Sequence, residues 1–239
     1  GPMNPGIVRL IVALLVAAGL AVAGWAVRQG LERFRVSDRS VTVKGLAERE
    51  VESDFVVWKL AFRRAGNVFG EVQKALAADR DQVEAFLRGA GLEDSEVEVR
   101  PLQVTDVYSR EYSPSNQPLR YTGSGQVLVK SARVAAVTKA ALSIDPLIQA
   151  GVVIDGGNGP RYQLRGFNDV KAPLLAEATR NAREQAAKFA SEAGASLGAL
   201  KSANQGVIRI SGDDGSDFDD GSSRVKRLRV VSTFEYELR

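Results

Sequence analysis

A chain of 239 residues, 44% hydrophobic and 26% charged, has the composition of a globular protein and length enough for a proper core. Its net charge is only +3 and no long basic run occurs, which argues against nucleic acid as a partner. Histidine and cysteine are both absent, which removes disulfides, thiol nucleophiles, His- or Cys-ligated metal and Ser-His-Asp or Cys-His catalysis. Carboxylate, lysine or tyrosine chemistry stays open, and no cofactor is implied.

Gly1-Pro2 before Met3 reads as a protease scar, and residues 1–6 as a scar and short cytoplasmic tail. From Ile7 to Val27 the chain runs through 21 residues with a single charge, Arg9. At the rise of an α-helix this reaches about 30 Å, the hydrocarbon thickness of a bilayer. Leu10, Leu14, Leu15 and Leu20 supply an apolar surface for lipid, Trp25 an interfacial anchor, and Arg9 can snorkel. Ala21-Val22-Ala23 resembles a signal-peptidase site, but apolar sequence continues to Val27 and favours an uncleaved anchor. Arg28, Arg33 and Arg35 follow the span, so charge alone leaves its orientation open. Ala13, Ala17 and Ala21 form a small-residue line that could pack one anchor on another.

Residues 28–39 read as a charged linker, and 40–239 as the folded part, with a subdivision near residue 131. Ser40–Lys44 alternates as a strand, with a bend or bulge at Gly45. Asp54–Arg63 is a second strand, with Val56, Trp58, Leu60 and Phe62 on one face. A helix is expected from an N-cap at Asn67 to Gly91, its core stripe Phe69, Val72, Leu76, Val83, Phe86 and Leu87. Val97–Tyr112 reads as a long strand, irregular at Pro101, that turns at 113–118 and returns as Leu119–Lys130. Ala132–Leu142 is helical, Pro146 ends it or starts a short turn, and Val152–Asp155 and Arg161–Phe167 read as strands.

The most regular pattern lies at 170–194. Leu174, Ala178, Ala182, Ala186, Ala190 and Gly194 recur every fourth residue, widened by Leu175, Phe189 and Ala193. A stripe made mostly of alanine lets a helix axis approach closely whatever it covers, here a sheet. Asn168 and Asp169 offer caps, Pro173 fits a first turn, and Gly194 can end the helix. Gly206–Ser211 and Val225–Leu238 close the fold. In the last strand Leu228, Val230, Phe234, Tyr236 and Leu238 share a dry face. The expected class is α+β: a transmembrane helix, then a largely antiparallel sheet with about three packed helices.

Candidate chemistry is sparse. Gly156-Gly157-Asn158-Gly159 lacks the Lys-Ser/Thr of a phosphate loop and suits a hairpin turn. Asp213, Asp214, Asp217, Asp219 and Asp220 crowd one loop, but their spacing is not that of an EF-hand. Offsetting the basic Arg224, Lys226, Arg227 and Arg229 is their simplest role, in a solvated hairpin tip. Tyr108, Tyr112 and Tyr121 could form a contact patch or pack as half-buried sheet aromatics. Nothing joins a nucleophile, a base and an orienting group.

Taken together, residues 40–239 resemble the SIMPL-domain family of bacterial envelope proteins, in its membrane-anchored branch. The resemblance is carried by Val41-Thr42-Val43-Lys44-Gly45 with Asp54, by Val97–Tyr108 and Tyr121, and by Val230–Leu238. Its most specific block is the alanine helix 177–198 ending in Gly194-Ala195-Ser196-Leu197-Gly198. The family often has glycine where Ala47 stands and proline where Ser53 stands. The resemblance implies export, an α+β fold and ring-like homo-oligomers, and offers no catalytic residues. Export would place residues 28–239 in the periplasm, on an inner-membrane anchor. The expected function is binding and scaffolding with an unknown protein partner. The alternatives are a carboxylate- or tyrosine-based envelope hydrolase and a metal or ligand sensor using the Asp213–Asp220 loop.

Overall fold

The computed structural model describes residues 5–37, 39–109, 116, 118–156 and 159–239, and of 33–37 the backbone alone. Tyr112, most of the 113–118 turn, Gly157, Asn158 and the Gly1-Pro2 scar with Met3 lie outside the described residues, as do the side chains of Arg33 and Arg35. The fold is α+β, and an apolar helix α1 (Pro5–Ser37) opens it. No side chain of its Pro5–Glu32 stretch is buried, and mean hydropathy reaches 2.5 there. By length and composition it is apolar enough to cross a membrane.

The chain sorts into two units built of alternating segments. One takes residues up to Ala47, Pro173–Ile208 and Val230–Arg239; the other takes Glu48–Ala172 and Arg209–Arg229. Its divisions fall at 47/48, 172/173, 208/209 and 229/230, not near 131. Two strands, β1 (Ser40–Glu52) and β9 (Val225–Leu238), each carry residues of both units. β1 runs unbroken through Gly45, where a bend was expected.

In the first unit, β1 pairs with β9, which pairs on its other side with β7 (Leu197–Asn204). The helix α5 (Phe167–Glu192) covers this sheet with its alanine stripe: Leu174, Ala178, Ala182, Ala186 and Ala190 are all buried. Val41, Phe234 and Tyr236 meet Ala182 and Ala186 to form the core. The approach is close at Gly45, where an added Cβ would lie 2.0 Å from the Ala178 carbonyl oxygen and 2.8 Å from Ala182 Cβ. One residue on, the Leu46 N–H donates to Asn181 Oδ1 at 3.0 Å. The helix ends as expected, with Gly194 at φ +68.

Three expectations for α5 do not hold. It begins at Phe167, so Asn168 and Asp169 fall inside its first turn and Pro173 lies in its interior. Phe189 is 55% exposed and Ala193 is exposed too, so neither widens the stripe.

In the second unit an antiparallel sheet runs β3 (Val97–Val99), β5 (Tyr121–Ser131), β2 (Phe55–Gly66), β6 (Arg161–Gln163), with β4 (Gln103–Asp106) also on β5. β2 and β5 pair from Val56↔Ser131 to Gly66↔Tyr121. The expected face of β2, Val56, Trp58, Leu60 and Phe62, is buried. Against it pack α2 (Phe69–Gly89), α3 (Val134–Leu142) and the short α4 (Asp145–Gln149), through Val72, Leu76, Val83, Leu87, Val137 and Leu147.

The differences from the sequence reading have local causes. Val68 occupies the N-cap of α2, because Asn67 Oδ1 instead accepts the Arg120 N–H at 3.1 Å. Phe69, at the helix start, is 49% exposed and meets the Tyr121 ring edge-on at 5.8 Å. The long strand 97–112 is two short ones, β3 and β4, separated around Pro101, which has no N–H for a ladder. Ile154 forms only a single bridge, to Phe62, in line with β6 along the same strand. Gly157 and Asn158, at the centre of the expected turn, lie outside the described residues.

Polar ties fix the rim. Arg64 grips the buried Asp79 with two bonds of 2.6 and 2.7 Å and donates to Gly151 O. Glu96 accepts from the Arg133 guanidinium, the Ser131 hydroxyl and the Glu93 N–H, which hold its carboxyl down to about 2.

Two outcomes follow from these contacts. Gly45→Ala forces a Cβ into a backbone carbonyl that cannot yield, and should lower unfolding free energy by about 3 kcal/mol or more in denaturant titration. The Glu96 carboxylate is favoured by folding, so its contribution is full above about pH 5 and is lost as pH falls towards 2. Glu96→Gln should make the acid-side fall in melting temperature shallower and cost about 1 kcal/mol at pH 7.

Candidate functional site

The residues with most chemistry lie at one end of the second unit, around the loop that joins β8 (Arg209–Gly212) to β9. These strands pair from Arg209↔Arg229 to Gly212↔Lys226, so the acidic loop is a hairpin tip, as expected. Its carboxylates are turned onto the loop itself. Asp214 Oδ1 accepts from the Ser216 N–H at 3.1 Å and hydroxyl at 2.6 Å. Asp220 Oδ1 does the same with Ser222, at 2.9 and 2.6 Å. Both carboxyls are held below the usual range, first by these hydroxyls and then by the N–H groups. Such side-chain-to-backbone bonds two residues on are the turn chemistry of aspartate.

Asp219 behaves differently. Its Oδ1 accepts from Gly221 N–H at 2.9 Å and from Lys226 Nζ at 2.7 Å. The Lys226 side chain has no exposed surface, whereas Asp219 keeps 26% of its own. A cation on the dry face of β9 is the largest departure from the alternation read in the sequence. The loop is tied further to β6: Tyr162 N–H donates to Gly221 O at 2.7 Å, and the Arg161 guanidinium to Asp220 O.

The neighbouring arginines do not use the acidic loop. Arg229, Arg227 and Arg224 face Glu48, Glu50 and Glu52 of β1 at 3.2, 3.5 and 3.9 Å. Their side chains are 38–54% exposed, so each pair adds little to stability. Ser53 N–H closes this ladder by donating to Arg224 O at 2.8 Å. Proline, which the resembled family often has here, could not donate that bond. Ser53 Oγ and Arg224 Nε are buried without a partner among the described residues.

A second constellation starts β2. Asp54 accepts from the Arg165 and Gly166 N–H groups, both at 2.7 Å, and the Arg165 guanidinium stacks 3.4 Å from the Phe55 ring. Both oxygens of Asp54 are thereby engaged in holding the chain at the entry to α5. Of the tyrosines, Tyr108 and Tyr121 bracket the Arg120 guanidinium at 6.0 and 5.2 Å, and Arg120 also pairs with Asp106 at 3.0 Å. Arg120 thus joins two of the three aromatics read as a patch.

Among the described residues no group of three or more carboxylates is placed to hold a metal ion. Asp213, Asp214, Asp217, Asp219 and Asp220 thus form no such group. The buried Lys226 is what sequence reasoning missed. Its signal was present, a cation in phase with Leu228 and Val230, but the same residue type one step out of phase is ordinary surface.

Comparison with known proteins adds the following. The SIMPL family, described as "Protein of unknown function (DUF541)", matches residues 41–227. Comparison with curated proteins finds no match. Among solved structures the chain is similar to an amidase of the hydantoinase/carbamoylase family from Burkholderia phymatum, at 12% identity and a TM-score of 0.23. That match covers 51% of this chain and 30% of the amidase, and carries no argument about fold or activity.

The Lys226–Asp219 pair is open to test. Asp219→Ala leaves a buried ammonium unpaired and should cost about 3–5 kcal/mol, whereas Lys226→Met frees only a partly exposed carboxylate and should be close to neutral or stabilising. Chemical denaturation of the two variants side by side reads the asymmetry.

Proposed function

The chain belongs to the SIMPL family, and from that premise we propose that it is a membrane-anchored periplasmic protein that self-associates and acts by binding and scaffolding, not by catalysis. The observation that carries this reading is α1: a long apolar helix with no buried side chain needs a covering, and a bilayer supplies one of the right thickness. Leu10, Leu14, Leu15, Leu20 and Trp25 are each more than 60% exposed, ready for lipid. In this reading the helix stays attached and is not removed as a signal sequence, and the domain after it faces the periplasm.

Self-association draws support from β7, whose side chains from Ala199 to Asn204 are exposed and whose only pairing among the described residues is to β9. A strand with one free edge is a natural template for another chain. Ala13, Ala17 and Ala21 would let anchors pack closely beneath it. Clustered anchors raise their own effective concentration in the membrane plane, so weak contacts suffice.

Light scattering of the detergent-extracted full chain should give a mass well above one 25.7 kDa subunit, with the same mass over a wide concentration range. Protease added to spheroplasts should degrade residues beyond 39 and leave the cytoplasmic control intact. A strict monomer overturns the assembly, and full protection overturns the periplasmic placement.

A further inference from the structure

In the second unit a groove of about 640 Å³ opens between the end of α2 and α3, well within the size range of small-molecule sites. Its cause is the small residues there: Gly89 closes α2, and Ala136 and Ala140 face it from α3, while Phe86 forms the opposite wall. Nothing lies within 4 Å of where a Gly89 Cβ would stand, so the space is open. The lining contains one ionisable side chain, Lys139, and Ser143 stands one helical turn after it. Lys139 has no acidic partner among the described residues, and no carboxylate lines the groove.

An apolar trough with a free ammonium and a hydroxyl together at one side matches an apolar chain that ends in an anionic oxygen group. The geometry points to a binding site for a free long-chain fatty acid, with its chain along Phe86, Ala136 and Ala140 and its carboxylate at Lys139 and Ser143. Charge-assisted bonding to the ammonium selects the carboxylate over a neutral head group. The inference is independent of the assembly proposed above, since it concerns residues of the second unit alone.

The test uses full-length protein in lipid nanodiscs, labelled with palmitic acid carrying a diazirine in its chain, with labelled peptides mapped by mass spectrometry. The expected result is label on α2 and α3 peptides, displaced by palmitate but not by hexadecanol at equal concentration. Gly89→Leu, which fills the trough, should abolish that label, and Lys139→Gln should weaken displacement by palmitate about tenfold. Circular dichroism checks that each variant is folded, and Ala136→Phe replaces Gly89→Leu should the latter unfold. Label confined to α1, label indifferent to a folded filling variant, or equal displacement by hexadecanol overturns the proposal.

Discussion

The first unit depends on how near a helix can come to a sheet. α5 presents alanine at Ala178, Ala182, Ala186 and Ala190, all buried, and β1 presents no side chain at Gly45, where the Ala178 carbonyl leaves no room for one. With so little side-chain volume between them, dispersion contacts are made by backbone and methyl groups, and those contacts are lost steeply with separation. The core that results is small, and the large residues Phe234 and Tyr236 fill its flank from the next strand. The Leu46 N–H to Asn181 bond fixes the register of the approach, which the apolar contacts alone leave free to slide.

What could be read from the sequence follows the same logic. Patterns that encode burial on one face were legible: the α5 stripe, the alternation in β2 and β9, and the apolar run of α1. Features that depend on the path of the backbone were not. β7 (Leu197–Asn204) shows no alternation of burial, because pairing with β9 holds it and its side chains from Ala199 onward stay exposed. Asn67 has every local qualification for a cap, yet Arg120, which is distant in sequence, takes its oxygen. Pro173 suits a first turn, but the chain enters the helix earlier, under the grip of Asp54 on Arg165 and Gly166.

The candidate site was legible only in composition. Acidic and basic residues were seen to adjoin, but of the four bases expected to be offset by the loop only Lys226 meets one of its carboxylates, because which acid meets which base depends on the turn geometry. Asp214 and Asp220 are consumed by serines two residues on, leaving Asp219 to meet Lys226. Arg227 and Arg229, one step out of phase, and Arg224, just before the strand, turn to β1. A buried ammonium with a partly wet partner is a weak device for stability.

The alternation of segments between the two units bears on how the polypeptide acquires its shape as it emerges. The first unit draws on residues before Ala47, then 173–208, then 230–239, so its middle strand in the order β1-β9-β7 is the last to be synthesised. Until that strand arrives, β1 and β7 have no common neighbour and the alanine face of α5 has only part of its covering. Until then the sheet is unfinished, and its long-range pairings form slowly.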